Sequence, residues 1–178
     1  MARQIALLRG INLGSRNRAS MPDLRTALGE AGYEGVATLV QSGNIVLTSS
    51  KQPKTLEREI SKLVLDEFGV EAATVVRTRD ELEGAIERNP IPEGPEIPKL
   101  FQVTFFSGEP DAEGVAALLA EDFGDEQLVV IGREAYAWHP GGIHKSKLAR
   151  ELGKGLRGDG TARNWNTVTK LLELADAG

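Results

Sequence analysis

Four polar stretches of the sequence carry side chains that could bind or react. The first is Arg9-Gly10-Ile11-Asn12-Leu13-Gly14-Ser15-Arg16-Asn17-Arg18. Glycines let backbone N–H groups approach a ligand, and the stretch is placed to run from a strand end to a helix start, where partial positive charge gathers. Arg9, Arg16 and Arg18 with Asn12 and Asn17 suit a phosphate or a carboxylate. The stretch lacks the Lys-Ser/Thr pair of a P-loop and is not a GxGxxG dinucleotide loop. The second is the turn Gln41-Ser42-Gly43-Asn44. The third is Gly141-Gly142-Ile143-His144-Lys145-Ser146-Lys147-Leu148, where Ser146 is placed to cap a helix and Lys145 and Lys147 flank its start. The fourth is Thr161-Ala162-Arg163-Asn164-Trp165-Asn166-Thr167. Thr161 there reads as a helix cap. At 100° per residue, Trp165, Val168, Leu171, Leu172 and Ala175 share an apolar face with Asn164, and Arg163, Asn166 and Lys170 point the other way.

The elements that must hold these stretches alternate short strands with longer helices. Gln4–Leu8 reads as a strand. Ser20 and Asp23 cap a helix that carries Pro22 in its first turn, Leu24, Ala27, Leu28 and Ala31 on one face, and Gly32 as its stop. Val36–Val40 and Asn44–Thr48 are strands, Pro53 opens a helix striped with Leu56, Ile60, Leu63 and Val64, Ala73–Arg77 is a strand and Asp80–Arg88 a short helix. The order β-α-β-β-α-β is the split βαβ of ferredoxin-like folds. A linker with Pro90, Pro92, Pro95 and Pro98 follows, because proline suits neither a sheet nor a helix interior. The rhythm then restarts. Phe101–Phe106 is a strand and Asp111 starts a helix. Leu128–Ile131 and Ala135–His139 form a hairpin about Gly132, and two helices follow near Ser146–Leu152 and Ala162–Ala175. The expected fold is α+β, with duplicated β-α-β-β-α units whose antiparallel or mixed sheets are covered by helices. Its expected division is residues 1–88, a linker at 89–99 and residues 100–178. A right-handed crossover makes the first two strands parallel. That places the loop Gly10–Arg18 beside the turn Gln41–Asn44.

Composition narrows the chemistry. The chain has 178 residues, 40% hydrophobic and 26% charged, as in an ordinary globular protein. No apolar run approaches the roughly 18 residues of a membrane span. The absence of cysteine excludes disulfides, thiol nucleophiles and Cys-ligated zinc or iron–sulfur centres. His139 and His144 are the two histidines, and they make a poor metal site without a third ligand. No metal or cofactor is expected. There is no GxSxG elbow and no HExxH, and nine aromatics are too few to suggest a base-stacking platform. The net charge of −5 is an average. Residues 1–25 carry five arginines against Asp23, a net +4. Residues 144–170 carry seven cations, Arg157 included, against Glu151 and Asp159, a net +5. Residues 80–126 hold thirteen acids against Arg88 and Lys99, a net −11. Local potential, not net charge, steers an anion.

The combination of LLRGINLG (Leu7–Gly14), the QSGN turn, HKSKL (His144–Leu148) and TARNWNTV (Thr161–Val168) resembles the uncharacterised, mostly bacterial domain-of-unknown-function family numbered 1697. The resemblance spans nearly the whole chain. It implies an α+β fold of two related subdomains and brings no established activity, cofactor or catalytic residue. The family typically has a small residue where His144 stands, so the resemblance does not make His144 a shared catalytic group.

The residues favour a cytoplasmic protein that binds an anionic, phosphate-bearing ligand, a nucleotide or a nucleic acid. The expected ligand-binding set is Arg9, Asn12, Arg16, Asn17, Arg18, Gln41, Ser42, Asn44, Lys145, Ser146, Lys147, Arg163 and Asn166. Arginine suits bidentate phosphate recognition, which singles out Arg9 and Arg163. One alternative is an interaction module that pairs basic and acidic faces, with a homodimer as one form. Another is an enzyme on a small anionic substrate, with Ser42, Ser146 or His144 as protic groups. Enzymatic activity is left open, and no nucleophile–base pair is visible by spacing.

Overall fold

Helix caps and strand pairing divide the chain much as its local signals suggest. The computed structural model describes residues 1–154, 156 and 160–178. Arg157 and Asp159 of the basic C-terminal segment lie outside the described residues. Among the described residues the element order is β1 (Ala2–Leu8), α1 (Met21–Glu30), β2 (Glu34–Leu39), β3 (Asn44–Ser49), α2 (Pro53–Phe68), β4 (Thr74–Thr78), α3 (Arg79–Glu87), β5 (Phe101–Phe106), α4 (Ala112–Leu119), β6 (Gln127–Ile131), β7 (Glu134–Trp138), α5 (Lys147–Gly153), β8 (Gly160–Asn164) and α6 (Trp165–Asp176). The chain forms two compact units, Met1–Gly84 with Lys170–Gly178, and Ala85–Thr169.

In the first unit the sheet order is β2-β3-β1-β4, and every neighbouring pair is antiparallel. Ser20 caps α1 by accepting the Asp23 N–H at 3.1 Å, with proline in the first turn. α2 opens on Pro53 and stops at the left-handed Gly69. Helical spacing turns Leu24 and Leu28 of α1, and Leu56, Ile60 and Val64 of α2, into one core with Ala6, Leu8, Ile45 and Leu47 from the sheet. Burying each such Leu or Ile side chain is worth about 1.5–3 kcal/mol.

In the second unit the order is β6-β7-β5-β8, again antiparallel throughout. Asp111 caps α4 by accepting from the Gly114 N–H at 2.9 Å. β6 and β7 turn back over Gly132 and Arg133, with Ile131 opposite Glu134. The proline-rich stretch forms two short 3-10 turns, Gly94–Glu96 and Pro98–Leu100. Phe106, Leu118, Ala135, Ala137, Leu148 and Leu152 pack together, and Phe101 stacks near Trp165 and Tyr136, with ring centroids 5.1 and 6.5 Å away.

The structure corrects the sequence reading at residues 160–164. The expected helix over Ala162–Ala175, capped by Thr161, is instead strand β8 followed by α6. β8 pairs with β5, Thr161 opposite Phe105 and Arg163 opposite Val103. Asn164 is the residue that caps α6, accepting from the Thr167 N–H at 2.9 Å. A free sheet edge at β5 offers backbone partners to this segment, and that long-range pairing outweighs a helical pattern extrapolated one turn too far.

Candidate functional site

The polar residues singled out by the sequence come together in the first unit and are dispersed in the second. In the first, the loop after β1 and the turn before β3 lie side by side. Asn12 Nδ2 donates to Gln41 O at 2.8 Å and to Ala19 O at 2.8 Å, while Asn12 Oδ1 accepts from the Ala19 N–H at 2.9 Å. Asn17 Nδ2 donates to Gly10 O at 2.9 Å, and the Asn12 N–H donates to Asn17 O at 2.7 Å. Both asparagines are left-handed, with φ of 55° and 52°, a region they enter more readily than most side chains. Their amides therefore organise the loop. The turn is fixed by Gly43, whose carbonyl accepts the Leu8 N–H at 2.8 Å. A Cβ there would sit 2.6 Å from Leu8 Cβ and 2.8 Å from Ile11 Cγ2, at a φ of +79° that already favours glycine. Asn44 is fully buried and donates to Leu39 O and Ser42 Oγ, each at 2.9 Å. Gln41 and Ser42 are exposed.

The arginines of residues 1–25 divide by role. Arg3 donates to Gly35 O at 2.8 Å and Ala175 O at 3.3 Å, and Arg25 donates to Thr38 Oγ1. Arg9 is half-buried, with its backbone N–H on Ala73 O at 2.9 Å. Arg16 and Arg18 are exposed on the loop. Arg18 reaches Gly14 O at 3.5 Å, and neither has a carboxylate partner among the described residues.

In the second unit Ser146 caps α5, accepting the Ala149 N–H at 2.8 Å. It also belongs to a cluster that sequence spacing did not reveal. Glu126 Oε2 accepts from Ser146 Oγ and lies 2.6 Å from His139 Nδ1, and Ser146 Oγ is 2.9 Å from the same nitrogen. His139 is fully buried and Ser146 is 3% exposed. His139 Nε2 has no hydrogen-bond partner among the described residues. A proton on Nδ1 satisfies the carboxylate and leaves the bare nitrogen at Nε2. The other tautomer would bury an unsatisfied N–H and face a lone pair toward the carboxylate. Burial pulls the Glu126 carboxyl upward, but hydrogen bonds from Ser146, His139 and the Leu148 N–H outweigh it and hold the group below its usual range. The serine and the carboxylate share one histidine nitrogen, whereas a nucleophile–base–orienter relay uses both. The cluster therefore anchors the start of α5 rather than forming such a relay. Beside it lies a cavity of about 380 Å³ lined by Asp125, Glu126, Pro140, Gly141, Gly142, Lys145 and Ser146.

The other expected contacts of this unit are placed differently from one another. Lys145 and His144 are exposed. Lys147 Nζ pairs with Glu121 at 3.0 Å and lies 5.5 Å from the Phe123 ring. Arg163 does not point outward as the helical reading required. On β8 it is 7% exposed and donates to Thr161 Oγ1 at 2.6 Å and Ala162 O at 2.9 Å. Burial pushes its guanidinium down to about 10, which still leaves a cation at neutral pH. Asn166 is exposed on α6. Among the described residues no group of three or more His, Asp and Glu could hold a metal ion, and no helix is long and apolar enough to cross a membrane.

Together these features define an α+β protein with two four-stranded antiparallel sheets, each carrying a polar loop group beside its strand ends. Residues 1–136 match the model of the family described as "Protein of unknown function (DUF1697)", and the chain belongs to that family. It is similar in structure to a conserved bacterial protein from Streptococcus pneumoniae, with 23% identity over 98% of each chain and a TM-score of 0.78. At that identity the likeness shows the fold. No curated protein matches the chain.

Proposed function

We propose that the first unit binds a phosphate-bearing anion on the loop Gly10–Arg18 and the adjoining turn. The observation that carries this reading is the pair Arg16 and Arg18, exposed and without a carboxylate partner among the described residues. Their backbone supports it. Left-handed residues at Gly10, Asn12 and Gly14 fold the loop back on itself, with the Asn12 N–H on Asn17 O, and Arg16 and Arg18 stand on its exposed side. Arg9 adds charge at the strand end, and the exposed Gln41 and Ser42 add neutral donors. In this proposal Asn12, Asn17 and Asn44 position the loop and turn. The matching order of strands in the two sheets also supports a duplicated ferredoxin-like unit, with the second copy diverged in its loops.

The test is binding of inorganic pyrophosphate, a nucleoside triphosphate and a short fluorescent oligonucleotide to the wild-type chain and to Arg16→Glu/Arg18→Glu. The wild type should bind at least one of them, the double variant at least about tenfold more weakly, and a nucleic acid should lose affinity steeply with salt. Equal binding by both chains, or none by either, sinks the proposal.

A further inference from the structure

Two surfaces of this chain expose apolar side chains beside charge of opposite sign. In the first unit Leu13 is 54% and Val40 57% exposed, on the two adjoining stretches joined by the hydrogen bond from Asn12 to Gln41 O. Val40 is β-branched yet has a φ of 50°, a costly conformation for such a residue and one that clusters at functional surfaces. Arg16 and Arg18 stand on the same loop.

α4 of the second unit has the opposite charge. Leu119 is 53% exposed, and the exposed Ala112, Ala116 and Ala120 share its face by helical spacing. Glu113 on α4 and Asp122, three residues past its end, are both exposed. An apolar helix stripe that meets solvent offers area that a partner surface can bury.

We propose that the Arg16/Arg18 loop of one copy docks on α4 of a second copy of this chain, with Leu13 and Val40 against the Leu119 face and the arginines toward Glu113 and Asp122. The inference rests on anion recognition by that loop, and it names carboxylates of the partner copy as anions the loop reads. Charge complementarity selects the occupant. A protein is favoured over nucleic acid because aliphatic side chains, not aromatic rings, stand beside the arginines, and rings are what stack on bases. A two-turn helix and two loops make a contact at the small end of specific interfaces, about 1,200 Å² or less in total, so association is weak. The ion pairs are exposed and fade as the Debye length shrinks from about 10 Å at 0.1 M salt to about 3 Å at 1 M.

Sedimentation equilibrium of the full chain at about 0.1 M and about 1 M salt tests this. The wild type should self-associate at low salt and dissociate at high salt. Leu119→Asp and Arg16→Glu/Arg18→Glu should each weaken association about tenfold or more, as expected when an interface core or its charges are lost. Glu113→Lys/Asp122→Lys should also weaken it alone, and a mixture of the two charge-reversed chains should associate again. Circular dichroism of each variant establishes that it folds. A wild type that is monomeric at low salt overturns the inference, as does association that none of the variants changes. Anion titrations on the same samples separate the two proposals. A monomeric wild type that binds pyrophosphate or oligonucleotide overturns docking alone. Salt-sensitive, variant-sensitive self-association without binding of any phosphate probe supports docking and overturns the phosphate reading.

Discussion

Asn12→Ala should cost far more than its place on a surface loop suggests. The side chain makes three hydrogen bonds, two to the Ala19 backbone and one to Gln41 O. Each such bond contributes about 0.5–1.5 kcal/mol net, and a buried backbone group left unpaired costs about 1–3 kcal/mol. Ala19 is 2% exposed, so its N–H and carbonyl are poorly placed to find water. The substitution also puts alanine at a φ of 55°, which adds about 1 kcal/mol for an L-residue with no local polar compensation. The sum is about 2–4 kcal/mol, allowing for partial relaxation of an exposed loop. Asn12→Gly removes the same bonds without the steric penalty and should recover about 1 kcal/mol of that loss. Asn12→Asp keeps the acceptor for the Ala19 N–H but sets a carboxylate against two carbonyls, and should fall near Asn12→Ala. Urea denaturation with an unchanged slope gives the stabilities, and hydrogen exchange at the Ala19 amide reports the local effect. An Asn12→Ala chain within about 0.5 kcal/mol of wild type would refute the role assigned to this amide, since that is the ordinary scatter of surface substitutions.

Two further outcomes test other features. Gly43→Ala places a Cβ 2.6 Å from Leu8 Cβ at a φ of +79°; it should destabilise by about 2–4 kcal/mol in thermal or urea melts, and a neutral result would mean the turn does not lock onto β1. The Glu126 carboxyl lies below its ordinary range in the folded chain, so the stability it contributes is present above the unfolded-state value and is lost as pH falls through the folded one. Glu126→Gln should therefore lower stability at neutral pH and flatten the acid limb below about pH 5. Parallel acid limbs for the two chains in urea titrations at stepped pH would show that the cluster does not hold the carboxylate.

Much of the architecture is legible in local chemistry. Ser20, Asp111 and Ser146 announce helix starts because a short oxygen-bearing side chain satisfies an N–H that the first turn leaves open. The adjacency of the Gly10–Arg18 loop and the Gln41–Asn44 turn follows from strand direction: β1 and β2 both run antiparallel to β3, Leu7 lies opposite Asn44, and the Asn12–Gln41 bond joins the two stretches. Residues 160–164 show the opposite case. Ala162, Arg163 and Asn164 fit a helix as well as a strand in isolation, and only the free edge of β5 decides between them. The direction of Arg163 depends on that choice: outward on a helix, inward on β8.

The sequence by itself determined the α+β class, the family, the caps at Ser20, Asp111 and Ser146 and the two basic stretches, since each is written in neighbouring residues. Tertiary structure alone decided which charged groups stand without a carboxylate partner and which are engaged. Glu126, His139 and Ser146 lie 13 and 7 residues apart, and no spacing rule links them. The β6–β7 hairpin and the turn after it bring them within hydrogen-bond reach. Lys147 found Glu121 and Arg163 went inside, while Arg16 and Arg18 met no carboxylate among the described residues. Ion pairing and burial are properties of distance in space, and segment charge records only distance along the chain.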